Sequence, residues 1–199
     1  MNKEKEENII QKVIKGPSLG YTDNFPKRAV WKEIAKEYNG DFKIKFNSGN
    51  ELEIHNISIP HKKYEIRISV SDTRPLKFTI SFSSSINFKF SLSWEDLFER
   101  IIKKFSKPEI ELGWGKFDKH YLVKSNRSDI IKRIISKEIQ ESMLKHNIFS
   151  MSYKSNLKSE SSELISVIQR RTGDREMIIE LIDTFKTLID NLEKSRVIK

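Results

Sequence analysis

The sequence predicts an α+β domain: an antiparallel β-meander of about five strands packed against helices, with additional strand pairs and a long C-terminal helix. Three observations carry that prediction. Between residues 62 and 90, apolar side chains occupy alternate positions: Tyr64, Ile66, Ile68 and Val70, then Phe78, Ile80 and Phe82, then Phe88 and Phe90. Successive strand side chains point to opposite faces, so Lys63, Glu65, Arg67, Ser69, Lys77, Thr79, Ser81 and Lys89 are placed together on a solvated face. On either side lie segments whose apolar residues recur every three or four positions, the helical period. The order of elements shows neither βαβ alternation nor an internal repeat.

Taken along the chain, Ile9, Ile10, Val13 and Ile14 have helical spacing. Gly16-Pro17 closes that segment, because proline cannot continue the helical hydrogen-bond ladder. Residues 1–24 are therefore read as a helix and loop ahead of a single domain over 25–199. Pro26 suits an early helical position, and Val30, Trp31, Ile34, Ala35 and Tyr38 form the stripe of a second helix stopped by Asn39-Gly40. Phe42, Ile44 and Phe46 share one face of a first strand. Leu52 and Ile54 share one face of a second, across the hairpin signal Asn47-Ser48-Gly49-Asn50. The three alternating strands complete the meander, with turns at residues 72–75 and 83–85.

Ser93 is placed as the N-cap of a helix carrying Trp94, Leu97, Phe98, Ile101, Ile102 and Phe105, its hydroxyl accepting an otherwise unpaired amide. Pro108 marks the exit. Ile110 and Leu112 indicate a short strand, Gly113-Trp114-Gly115 a loop, residues 121–124 a strand, and residues 128–145 one long helix with Ile131, Ile134, Ile135 and Ile139 inward. Phe149, Met151 and Tyr153 read as a strand paired with residues 164–169. Asp174 caps a final helix whose Ile178, Leu181, Phe185, Leu188 and Leu192 face the core rather than a dimer seam.

The 199 residues are enough for a substantial core, and the absence of cysteine excludes disulfides, zinc–thiolate sites, iron–sulfur clusters and cysteine nucleophiles. Met1 to Asn8 is crowded with Lys and Glu instead of a basic segment leading into an apolar one, so no secretory signal is expected and a cytoplasmic protein is the default. The net charge of +9 is unevenly spread. Residues 61–93 hold six basic and two acidic groups and residues 127–154 six and three, which supplies seven of the nine excess charges. Part of this follows from a composition rich in Lys, Ile and Asn, as AT-rich coding yields.

No nucleotide-binding or nucleophile-elbow fingerprint occurs, there are only seven glycines, and no cofactor or metal is expected. The four histidines, His55, His61, His120 and His146, lack metal-ligand spacing and read as ordinary surface or half-buried residues. Arg170-Arg171 is a weak anion-gripping candidate. The most enzyme-like cluster is Glu109, Glu111, Asp118 and His120, two carboxylate-bearing strand faces across the Gly-Trp-Gly loop, with acid–base potential if their surroundings separate their pKa values. The same alternation also describes the solvent side of amphipathic strands. Trp114 either caps the core edge or serves as an aromatic anchor for a partner. Lys63, Arg67, Lys77 and Lys89 have the spacing to track a phosphate backbone, but the aromatics lie on the opposite parity, where they cannot stack on bases.

The stretch RAVWKEIAKEYNG-DFKIKF from Arg28 and the later FDKHYLVKS leading into IIKRII resemble uncharacterised bacterial α+β domains, in which a Trp-bearing helix precedes a meander and an FD-x-x-Y strand precedes a helix. The resemblance implies no catalytic residues. The reading that follows is a non-enzymatic interaction module with a protein partner at Lys63, Arg67, Lys77, Lys89 or Trp114. A nucleic-acid-associated protein using residues 61–93 and 127–154 is second, and an enzyme third.

Overall fold

In a computed structural model, residues 27–46, 53–71, 74–84, 86–94, 109–168 and 174–199 are described. The helix expected near residues 9–14, the hairpin residues 47–50, most of the helix expected after Ser93, and Arg170-Arg171 lie outside the described residues. What is described is an eight-stranded antiparallel sheet with a helical layer on one face.

Helix α1 (Arg28–Glu37) leads into β1 (Asp41–Phe46), β2 (Glu53–His61), β3 (Tyr64–Ser71), β4 (Leu76–Ser83) and β5 (Lys89–Trp94). The short α2 (Gly115–Asp118), β6 (Tyr121–Ser125), α3 (Ser128–Ile134), α4 (Lys137–Lys145), β7 (Ile148–Asn156), β8 (Ser161–Ile168) and α5 (Arg175–Lys194) follow. The strand order is β1-β2-β3-β4-β8-β7-β5-β6. The sheet thus has eight strands, not about five. Only β1 to β4 form a meander, because β4 pairs with β8 along its whole length and β5 sits between β7 and β6. The strands expected at residues 121–124 and 149–153, and most of that at 164–169, are part of the same sheet.

Alternation sets the buried face where it is cleanest. Tyr64, Ile66, Ile68 and Val70 of β3 and Leu76, Phe78, Ile80 and Phe82 of β4 are all buried. Helix α5 lies across them with Ile178, Leu181, Phe185, Leu188 and Leu192 fully buried. Phe78 stacks on Phe185, ring centres 4.3 Å apart. Asp174 caps α5 as expected, accepting from the Met177 amide at 3.1 Å. Removing this apolar surface from water is the main drive for the layer packing.

Elsewhere tertiary pairing overrides the local reading. In β2 the residues on the core face are Glu53, His55, Ile57 and Ile59, so Ile54 points to the other face and is half-buried. Ser93 is a buried strand residue paired with Leu122 and Ser150, not a helix cap. Ile110 and Leu112 lie in an extended segment outside the sheet, whose Ile110 amide donates to the Val123 carbonyl at 3.0 Å. The helix expected over 128–145 breaks at Ile135 and Ser136, where Ser136 is extended. In β7 a bulge between Ile148 and Ser150 puts Ile148 inside and leaves Phe149 half-buried. An irregular strand of this kind shifts side-chain parity by one position. The buried Ser166 hydroxyl donates to the Ser150 carbonyl at that irregularity.

No helix among the described residues is long and apolar enough to cross a membrane.

Candidate functional site

Of the enzyme-like cluster, Glu109 and Asp118 border one small pocket with Lys119, Tyr121 and Leu122. Asp118 lies on α2, not on a strand, and its carboxylate accepts from the Leu112 and Gly113 amides at 2.8 and 3.0 Å. It clamps the Gly113 turn, whose φ of +94° suits glycine. Glu109 and Glu111 are exposed, and His120 packs edge-on against Trp94 and Tyr121. Among the described residues, no hydrogen bond or ion pair joins Glu109, Glu111 and His120. Trp114 is half-buried against the core, and the Lys137 ammonium lies over its ring face.

The basic candidates do not all share one place. Lys63 sits in the β2–β3 turn, 3.9 Å from Glu193, while Arg67, Lys77 and Lys89 point to the face opposite the helices. Phe78, Phe82, Phe88, Phe90 and Tyr64 are buried on the helical side. At the β5–β6 end of the opposite face Ser93 and Lys124 are buried. Over β1 to β4 that face is polar and is left open by the described residues.

Its register defines two ranks. Asp41, Ser58, Arg67 and Thr79 lie opposite one another across four strands, and Lys43, Asn56, Ser69 and Lys77 form the adjacent rank. At a strand spacing of about 4.8 Å, Lys43 and Lys77 stand roughly 14 Å apart with an amide and a hydroxyl between them. With Lys45, all of these residues except Lys77 border a shallow depression of about 330 Å³. The side chains on this part of the face include four cations, Lys43, Lys45, Arg67 and Lys77, against two carboxylates, Asp41 and Glu65. Arg67 is partly occupied, with Glu65 at 3.8 Å and a hydrogen bond to Ser81. Lys43, Lys45 and Lys77 have no ion-pair partner among the described residues.

Sequence reasoning overlooked Lys43 and Lys45, which lay beyond the segment of highest local charge. Their alternation with Phe42, Ile44 and Phe46 was the available signal. It also overlooked a buried polar cluster behind β1. Glu53, 1% exposed, accepts from Arg28 Nε at 3.1 Å and from a second guanidinium nitrogen, and lies 3.1 Å from His55 Nε2. A carboxylate only accepts, so the His55 proton resides on Nε2. The buried His55 Nδ1 has no hydrogen-bond partner among the described residues, and Phe42 meets the ring edge-on. Burial pushes the His55 pKa down, outweighing the pull of Glu53 upward, and Arg28 and Lys27 push it down further.

A histidine held neutral in the fold binds fewer protons than in the unfolded chain, so its contribution to stability is present above about pH 6.5 and is lost as pH falls through the lowered folded value. His146 behaves alike, since its burial outweighs Glu180. Denaturant titrations from pH 7 to pH 5 are expected to show falling stability, with a shallower slope in His55→Gln. An unchanged slope in that variant refutes the assignment.

No protein-family model matches the sequence, and no curated protein shows a significant match. The structure is similar in fold to the crystal structure of the mycobacterial trehalose monomycolate transport factor A, TtfA, with a TM-score of 0.52 and 12% sequence identity. The match covers 84% of this chain and 93% of that one.

Proposed function

We propose that this chain is a non-enzymatic accessory module that holds an acidic surface of a protein partner against the open face of β1 to β4. The observation that carries the proposal is the pair of cross-strand ranks in which Lys43, Lys45 and Arg67 border amide and hydroxyl groups at a shallow depression, with Lys77 at the end of one rank. Such a surface offers charge complementarity and hydrogen bonds without the paired acid and base that catalysis requires. A fold shared with a transport factor is compatible with an accessory role of this kind. A cytoplasmic setting suits a module that acts by docking.

The test compares cross-linked partners recovered on the wild-type chain, on K43E/K45E/R67E/K77E, and on a control reversing Lys32, Lys116, Lys132 and Lys158, which are exposed elsewhere. Each surface change is expected to alter stability by no more than about 0.5 kcal/mol, so circular dichroism should report folded protein throughout. A partner present with wild type and control but lost with the open-face variant is the expected result. Equal recovery on all three refutes the reading. Retention on an oligonucleotide that collapses with salt, with no protein recovered, favours the nucleic-acid alternative instead.

A further inference from the structure

We propose that the partner engages this sheet by adding an acidic, alternating strand along the free edge of β1; the inference rests on the docking reading above and specifies its geometry. Among the described residues, β1 ends the sheet and pairs with β2 alone. In an antiparallel pair, alternate residues direct both amide and carbonyl toward the neighbour, so roughly half of β1's backbone groups point outward. The opposite end differs, because there the Ile110 amide already reaches the Val123 carbonyl of β6.

The side chains of β1 say what would fit. Toward the helical layer it presents Phe42 and Ile44, half-buried, and Phe46, which is 46% exposed and one of two large apolar residues so exposed among the described residues. Toward the open face it presents the exposed Lys43 and Lys45. A second copy of this chain is a poor occupant. Two β1 edges paired antiparallel about a twofold axis at Ile44 set Lys43 of each copy opposite Lys45 of the other, and like charges directly opposite oppose pairing. An incoming strand with apolar residues on the helical side and Asp or Glu on the other covers Phe46, extends the core and neutralises the lysines together. Main-chain bonds supply affinity in this mode and alternate side chains supply specificity.

The probe is an end-blocked peptide, Thr-Glu-Ile-Glu-Val-Glu-Thr, titrated into the full chain at low salt by fluorescence anisotropy, with amide hydrogen exchange read across β1. Binding with protection of residues 41–46 is expected. Replacing the peptide's Glu by Lys should weaken it by about tenfold or more, and K43E/K45E should reverse that preference. N-methylation of one alternate set of peptide residues should abolish binding while N-methylation of the other set is tolerated, a parity that charge attraction alone does not produce.

No binding of the Glu peptide, protection elsewhere than β1, or equal tolerance of both N-methylated forms each overturns strand addition. The broader docking reading survives those outcomes if the open-face variant still loses its cross-linked partner, and fails only if it does not.

Discussion

Phe78→Ala is expected to lower the free energy of unfolding by about 3–5 kcal/mol, the range for truncating a fully buried aromatic ring. Phe78 lies at the centre of the sheet–helix interface, on β4 between Ile68 of β3 and Ser166 of β8, stacked within 12° of parallel on Phe185 of α5. Truncation removes the ring's transfer free energy and leaves a cavity that three paired strands and a twenty-residue helix cannot collapse to fill. For a chain of this size the midpoint of thermal unfolding should fall by roughly 6–20 °C. Phe46→Ala, at the exposed edge, provides the contrast and should change stability by no more than about 0.5 kcal/mol. Thermal and urea unfolding followed by circular dichroism decide it. Similar losses in the two variants would show that the layer contact between β4 and α5 is not the centre of the core.

Arg28→Ala is expected to cost about 3–5 kcal/mol near neutral pH, for a different reason. Glu53 is buried on the core face of β2, and the variant deprives its carboxylate of the guanidinium's two hydrogen bonds. Removing one partner of a buried ion pair costs far more than an exposed pair contributes. The variant also weakens a pH effect. Arg28 is one of the charges that lowers the His55 pKa. Without it the His55 pKa is held down less, so less stability is lost as pH falls below the ordinary histidine value. Denaturant titrations of Arg28→Ala at pH 5 and 7 should therefore show a smaller deficit against wild type at pH 5. An equal deficit at both pH values would remove His55 from the pair. The variant Arg28→Met/Glu53→Leu/His55→Leu should recover much of the loss, since apolar replacement of a buried ionic cluster is often neutral or stabilising.

These two sites differ in how far the chain announces them. Phe78 is legible from parity alone, because its neighbours at two-residue spacing are Ile80 and Phe82 and those between are Lys, Thr and Ser. Glu53 and His55 are not legible. Their own residue types argue for the solvent face, and a guanidinium 25 positions earlier, brought over β2 by α1, helps to make their burial tolerable. Lys43 and Lys45 are intermediate, since alternation shows which side of the strand they occupy. It cannot show that β1 lies at the sheet's end.

The same boundary separates what the sequence by itself determined from what only the tertiary structure decided. Two-residue alternation in β3 and β4, three-and-four spacing in α5 and the Asp174 cap are local properties of contiguous residues, and they determined the α+β class, the buried face and the course of the final helix. Strand order is not local. Alternation says which way a side chain points, but any strand of matching parity satisfies β4, and the structure selects β8 from more than seventy residues downstream over the nearby β5. That choice decided which end of the sheet stays open. It also gathered Lys43, Asn56, Ser69 and Lys77 from four strands into one rank, because cross-strand neighbours are set by hydrogen-bond register between segments, and no single segment carries that information.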